Sequence, residues 1–149
     1  MTSHRPAVAE DRWIEFVRWP YEDEAWHVTV RAADEQYRAE QEFYVYPADL
    51  LEFAHRLRVF PQSADVVSLE VGSKESGWAH WVFIRAFTID VTGHGALGFD
   101  LGSAGDPLRT RSAAFVISCD VASLNRLGVA LALWVENSAT PIREYLYSS

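Results

Sequence analysis

The stretch FTIDVTGHGALGFDL, residues 87–101, sets His94 between two glycines. A histidine there could act as a general base. A base works only with a nucleophile in hydrogen-bond reach and a third group that orients it. No such set surrounds TGHG, so His94 reads as a solvated or hydrogen-bonding residue beside a turn. Cys119 alternates with Phe115 and Ile117, the pattern of a small buried hydrophobe rather than a thiolate. No G-x-S-x-G occurs. His4, His27, His55, His80 and His94 never fall at the close local pairs that zinc sites use, and one cysteine cannot complete such a site. Glu40 and Glu42 share a strand face, and would do acid–base work only if one were buried with a raised pKa. GHGALG precedes a strand, so no helix N-terminus meets a phosphate there. The residues therefore predict a non-enzymatic chain with no catalytic residue, no metal and no cofactor. The alternative is a hydrolase or small-ligand binder that gathers His80, His94 and nearby acids in a pocket.

The elements that carry these residues follow from periodicity. RWIEFVRW (12–19) is short, aromatic and β-branched. AWHVTVRA (25–32) alternates, with Trp26, Val28 and Val30 on one face, and YRAEQEFYVY (37–46) is its hairpin partner. Leu50, Phe53, Ala54 and Leu57 then form a helical stripe, opened by Pro47 with Asp49 in the first turn and closed by Pro61. ADVVSLEVG, GWAHWVFIRAFTIDV, ALGFDLG and TRSAAFVISC read as strands. Asp120 is the expected N-cap of a second helix, whose stripe is Leu124, Leu127, Gly128, Leu131, Trp134 and Val135. The expected fold is α+β: a mostly antiparallel twisted sheet of six to seven strands, order β-β-β-α-β-β-β-α, with two helices on one face. Residues 1–11 form a polar arm, 12–137 the single domain and 138–149 a tail.

A two-residue turn at Thr92-Gly93 would set Val91 opposite His94, Phe87 opposite Gly98 and Arg85 opposite Asp100. Ile84, Ala86 and Thr88 would then meet Leu101, Phe99 and Leu97 on the core side. The reverse face still carries Trp81, Phe83, Phe87 and Ile89, where a solvated sheet face is normally polar. Tyr44 and Tyr46 could join them. Such a face is expected to be covered. The first candidates are the chain's own ends, through Trp13 and Trp19 or Tyr145 and Tyr147; a homodimer or a foreign partner is the other possibility. Val129 and Leu133 also make the outer side of the second helix apolar.

The 149 residues favour one domain, and nearly half are hydrophobic, as a packed globule requires. A single cysteine and the absence of a signal-like start predict a cytoplasmic protein. No stretch reaches the ~18 apolar residues of a membrane span. Thirteen basic against twenty-one acidic residues give −8. That field opposes nucleic-acid binding and favours a basic partner. Most of the acids lie between Glu10 and Glu52, and Glu22, Asp23, Glu24, Asp34 and Glu35 are the expected steering residues.

VTVRAADEQYRAEQEFYVYPADLLEFAHRL resembles the opening of the WapI-type immunity proteins and their bacterial relatives, where a strand hairpin leads into a helix. FTIDVTGHGALGFDL is similar to their D-x-x-GH-V-type hairpin, with Asp90, Gly93 and His94 at matching positions. CDVASLNRLGVALALWVE resembles their closing helix, with Asp120 and Leu124 in the D-x-x-x-L start. The resemblance implies a small α+β domain that binds and neutralises a toxin domain, and names no catalytic residue. The expected function is that of a bacterial, cytoplasmic, non-enzymatic protein-binding domain, an immunity-type inhibitor of a basic toxin domain. Trp81, Phe83 and Phe87 would supply contact area. A homodimeric structural domain is the runner-up.

Overall fold

A computed structural model describes residues 11–20, 23–62, 64–75, 80–104, 108, 110–137 and 141–148. The strands and helices are β1 (Trp13–Arg18), β2 (Trp26–Ala33), β3 (Arg38–Val45), α1 (Pro47–Val59), β4 (Val66–Gly72), β5 (His80–Thr88), β6 (His94–Ser103), β7 (Arg111–Asp120), α2 (Val121–Glu136) and β8 (Ile142–Tyr145). They make an α+β fold of two four-stranded antiparallel sheets, ordered β3-β2-β1-β8 and β4-β5-β6-β7. No helix among the described residues is long and apolar enough to cross a membrane.

Alternation decides which face of each sheet turns inward. Val28, Val30 and Ala32 of β2 meet Arg18, Phe16 and Ile14 of β1. On the second sheet Val82, Ile84 and Ala86 meet Leu101, Phe99 and Leu97. The inward residues of both sheets and both helices form one core, fully buried at Ile14, Phe16, Phe43, Leu50, Ile84 and Leu124. Pro47 opens α1, with Asp49 in its first turn. Asp120 caps α2, its carboxylate accepting from Ser123 N at 2.7 Å. The helices cross at Gly128, where a Cβ would stand 2.5 Å from Arg58 N and 2.6 Å from Ala54 O. Beside this crossing, Asn125 Nδ2 donates to the carbonyls of Leu57 and Phe60 at 2.9 and 2.8 Å, tying α2 to the end of α1, where Leu57 O also accepts from Phe60 N.

Three sequence expectations are corrected. The described residues form eight strands in two sheets, not six or seven in one. The added strand is β8, inside the segment read as a tail. It is four residues long, and its inner face pairs Ile142 and Glu144 with Phe16 and Ile14. So short a stretch, with an acid on its inner face, has no readable period. The β5–β6 turn is also not Thr92-Gly93. Ile89 N donates to His94 O at 3.0 Å, so the loop is Asp90–Gly93, and Phe87 faces Ala96 rather than Gly98. Asp90 explains the longer loop: its Oδ1 accepts from Thr92 N at 2.9 Å and from Thr92 Oγ1 at 2.7 Å, while Gly93 takes φ +94°. The register moves by two residues, which keeps every side chain on its expected face.

Candidate functional site

The outward face of β4–β7 is built from rows of cross-strand neighbours. Glu70, Phe83, Asp100 and Ala114 form one row, and Ser68, Arg85, Gly98 and Val116 the next. Gly98 has no side chain, so the middle of the face is a depression. Its lining includes Phe83, Phe87, Arg85, Glu70 and Val116, and its volume is about 400 Å³. Phe83 and Phe87 lie four residues apart on β5, roughly 13 Å along the strand. Both rings are half-buried, whereas Val66 and Val116 on the flanking strands are about half exposed.

Charge is arranged around this apolar floor. Asp100 accepts from Trp81 Nε1 at 2.9 Å and is ion-paired with Lys74. It does not pair with Arg85, as the expected register required. The Arg85 guanidinium instead lies 5.6 Å from the Phe87 ring centroid. Trp81 is buried because its indole lies on Gly102, where any Cβ would overlap the ring. It therefore forms one wall of the sheet rather than open contact area.

Of the chain's ends, the expected covers Trp13, Trp19, Tyr145 and Tyr147 do not lie over this face, contrary to expectation. Trp13 and Tyr145 are neighbours in the other sheet. Trp13 is stacked there beneath Arg143, 3.9 Å from its centroid, and Trp19 stacks on His27. Tyr147 bonds the start of α2 through its main chain. Tyr44 and Tyr46 do not join the face either. Tyr44 lies between His27 and His80, with centroids at 4.7 and 6.1 Å, and Tyr46 is the N-cap residue of α1. No described residue lies over the depression between Phe83 and Phe87. Val129 and Leu133 are exposed on α2.

The four described acids of the expected five do not form one patch. Glu22 lies outside the described residues. Asp23 and Glu24 are exposed before β2, while Asp34 and Glu35 follow it, roughly 26 Å away along its eight residues. Asp34 is committed to its own turn, accepting from Gln36 N and Tyr37 N at 2.8 and 2.7 Å. Glu35 is held by Arg12 at 2.6 Å. On the outer face of the first sheet the charges already pair, in a ladder Glu40–Arg31–Glu15–Arg143.

His80 and His94 are not brought together. His80 opens β5 and His94 opens β6 beside the far end of β5, so the nine residues of β5 hold them roughly 30 Å apart. His94 Nδ1 is 2.7 Å from Asp90 Oδ2 and 3.1 Å from Thr92 Oγ1, so the ring is part of the loop's polar network. The Thr92 hydroxyl and amide, followed by His94, hold the Asp90 carboxyl well below the usual carboxylate range. Burial, followed by His27 nearby, lowers the His80 pKa. Burial, and then Asp120, pushes the Cys119 thiol up to about 12. Among the described residues no group of three His, Cys, Asp or Glu side chains could hold a metal ion.

No protein-family model, curated protein or solved structure matches this chain.

Within the site, Phe83 and Phe87 were legible from strand parity alone. Arg85 shares that parity, but the grouping of Glu70, Ser68, Gly98 and Val116 with them was not legible, because it depends on register across four strands. The one signal available was a glycine on β6 near an aromatic on β5.

Proposed function

We propose that this chain is a non-enzymatic protein-binding domain, an immunity-type inhibitor that docks on a basic bacterial toxin domain through the outward face of β4–β7. The observation that carries the reading is the uncovered depression over Gly98, flanked by Phe83 and Phe87. A half-buried aromatic ring gains contact when a partner covers it, and burying a whole Phe side chain is worth about 1.5–3 kcal/mol. Aromatics of this kind dominate interface energetics when they reach a well-packed centre. The net charge of −8 supports a basic partner. With the acids dispersed, it acts as a long-range field that raises the association rate, not as a local clamp. The likeness of the β2–α1, Asp90–His94 and Asp120–Leu124 segments to immunity proteins points the same way. The cytoplasm is where such an inhibitor would act.

The test is neutralisation. A basic protein captured from the encoding organism should arrest growth when expressed alone, and co-expression of this chain should restore growth. Phe83→Lys with Phe87→Lys should abolish the rescue while leaving the fold intact. Rescue by the double variant, or a captured protein with no toxicity, would refute the proposal.

A further inference from the structure

The second feature that asks for a partner is an edge, not a face. β7 borders its sheet, and the direction of its backbone groups can be worked out. His94 O of β6 accepts from Ile89 N, so the even-numbered residues of β6 bond toward β5 and the odd-numbered ones toward β7. The odd residues of β7 answer them, because Ile117 is opposite Leu97 and Phe115 opposite Phe99. The even residues of β7 must then point their N–H and C=O away from the sheet. Two side observations agree. Ser118 O accepts from Arg12 Nη1 at 2.9 Å, and Asp120 N donates to Tyr147 O at 2.7 Å.

The chain thus caps the last two outward positions of β7. Among the described residues nothing bonds the outward groups of Ser112, Ala114 and Val116. Edges of this kind are normally blunted by charge, proline, shortness or a covering element. The other three are. β3 carries Arg38, Glu40 and Glu42, β8 has four residues, and α1 packs beside β4. β7 has ten residues and no charge or proline between Arg111 and Asp120. Ser112 and Ala114 are small and exposed, so another backbone can approach closely.

We propose that β7 pairs with β7 of a second copy of this chain, antiparallel about a two-fold axis at Ala114, joining two four-stranded sheets into one of eight. The edge is self-complementary in this register. Ala114 faces Ala114 of the second copy, and Ser112 faces its Val116, so each open group meets an open group. About six hydrogen bonds form. Arg12 excludes a register that uses Ser118. Inward, Ala113 meets the half-exposed Phe115 of the other copy. The seam is narrow and each chain carries −8, so the dimer forms at high protein concentration and gains from salt that screens the repulsion. This inference does not rest on the inhibitor reading. Capture of a basic toxin weakens with salt, and this pairing strengthens.

Sedimentation velocity on the full chain tests it. The dimer fraction should rise with concentration from micromolar upward and again with added sodium chloride. Ala114→Lys, which sets two like charges across the axis, should leave a monomer whose circular dichroism and melting are unchanged. Ala114→Cys should cross-link on oxidation, since directly opposite Cα atoms lie about 5.5 Å apart. Ser112→Cys should not, because its two copies are offset by roughly 13 Å along the strands. A wild-type monomer at every concentration would overturn the proposal. So would a dimer that persists in Ala114→Lys, or equal cross-linking by the two cysteine variants. Loss of the dimer in Phe83→Lys but not in Ala114→Lys would place the seam on the aromatic face and overturn it too.

Discussion

A Cβ placed on Gly98 would stand 3.4 Å from Phe87 Cε1, in ordinary contact with the ring. The floor of the depression is therefore open by one side chain's depth, and an alanine fits without moving its neighbours. Glycine within a strand costs roughly 0.5–1 kcal/mol relative to alanine. Gly98→Ala should leave the urea midpoint unchanged or raise it, while a bulkier Gly98→Leu should fill the depression and weaken partner binding at least tenfold. A Gly98→Ala variant that loses more than about 1 kcal/mol would show that the floor is closed.

Gly128 is a different case, because its neighbours are backbone. A Cβ at 2.5 Å from Arg58 N cannot be accommodated unless α1 and α2 separate. Gly128→Ala gains helix propensity of about 1 kcal/mol, yet overpacking of this kind costs about 1–3 kcal/mol. The expected outcome is a net loss of stability in urea unfolding. A stabilised variant would mean that the helices do not touch at this point.

Asp90 predicts an acid-linked loss of stability. Its folded pKa lies below the ordinary carboxylate value of about 3.9. Its contribution is thus fully present above that value and is lost as pH falls toward the depressed folded one. The urea midpoints of wild type and Asp90→Ala should differ at neutral pH and converge progressively below pH ~4. A difference that stays constant across this range would contradict the role of the carboxylate in the loop.

Cys119, with its thiol pushed up to about 12 by burial, should be almost unreactive in the native state. Ellman's reagent at pH ~8 should label it only on the timescale of unfolding, and rapidly in denaturant. Stoichiometric labelling of the native protein within a minute would show that the inner side of β7 is open to solvent.

Periodicity located both helices and seven of the eight strands among the described residues, because each of those elements buries one regular stripe. Pro47, Asp120 and the Trp26–Val28–Val30 alternation are local signals and were sufficient. The division into two sheets was not legible, since β3 and β4 flank α1 in sequence yet form edges of different sheets, and β8 joins the first sheet only by pairing with β1 across most of the chain. The turn was misplaced because Asp90 organises it through its side chain, a competitor to the two-residue glycine turn that spacing cannot reveal. The site was half visible for the same reason. Phe83 and Phe87 follow from parity within one strand, whereas the placing of Gly98 between them needs the register with β6.

The most direct measurement is the affinity of purified partner, captured from the encoding organism, for wild type and for Phe83→Lys with Phe87→Lys, read by calorimetry at two salt concentrations. Binding should be tight to wild type and weaker at higher salt. The double variant should lose at least tenfold in affinity while retaining its melting temperature. Equal affinity for both proteins would contradict the claim that this sheet face is the binding surface.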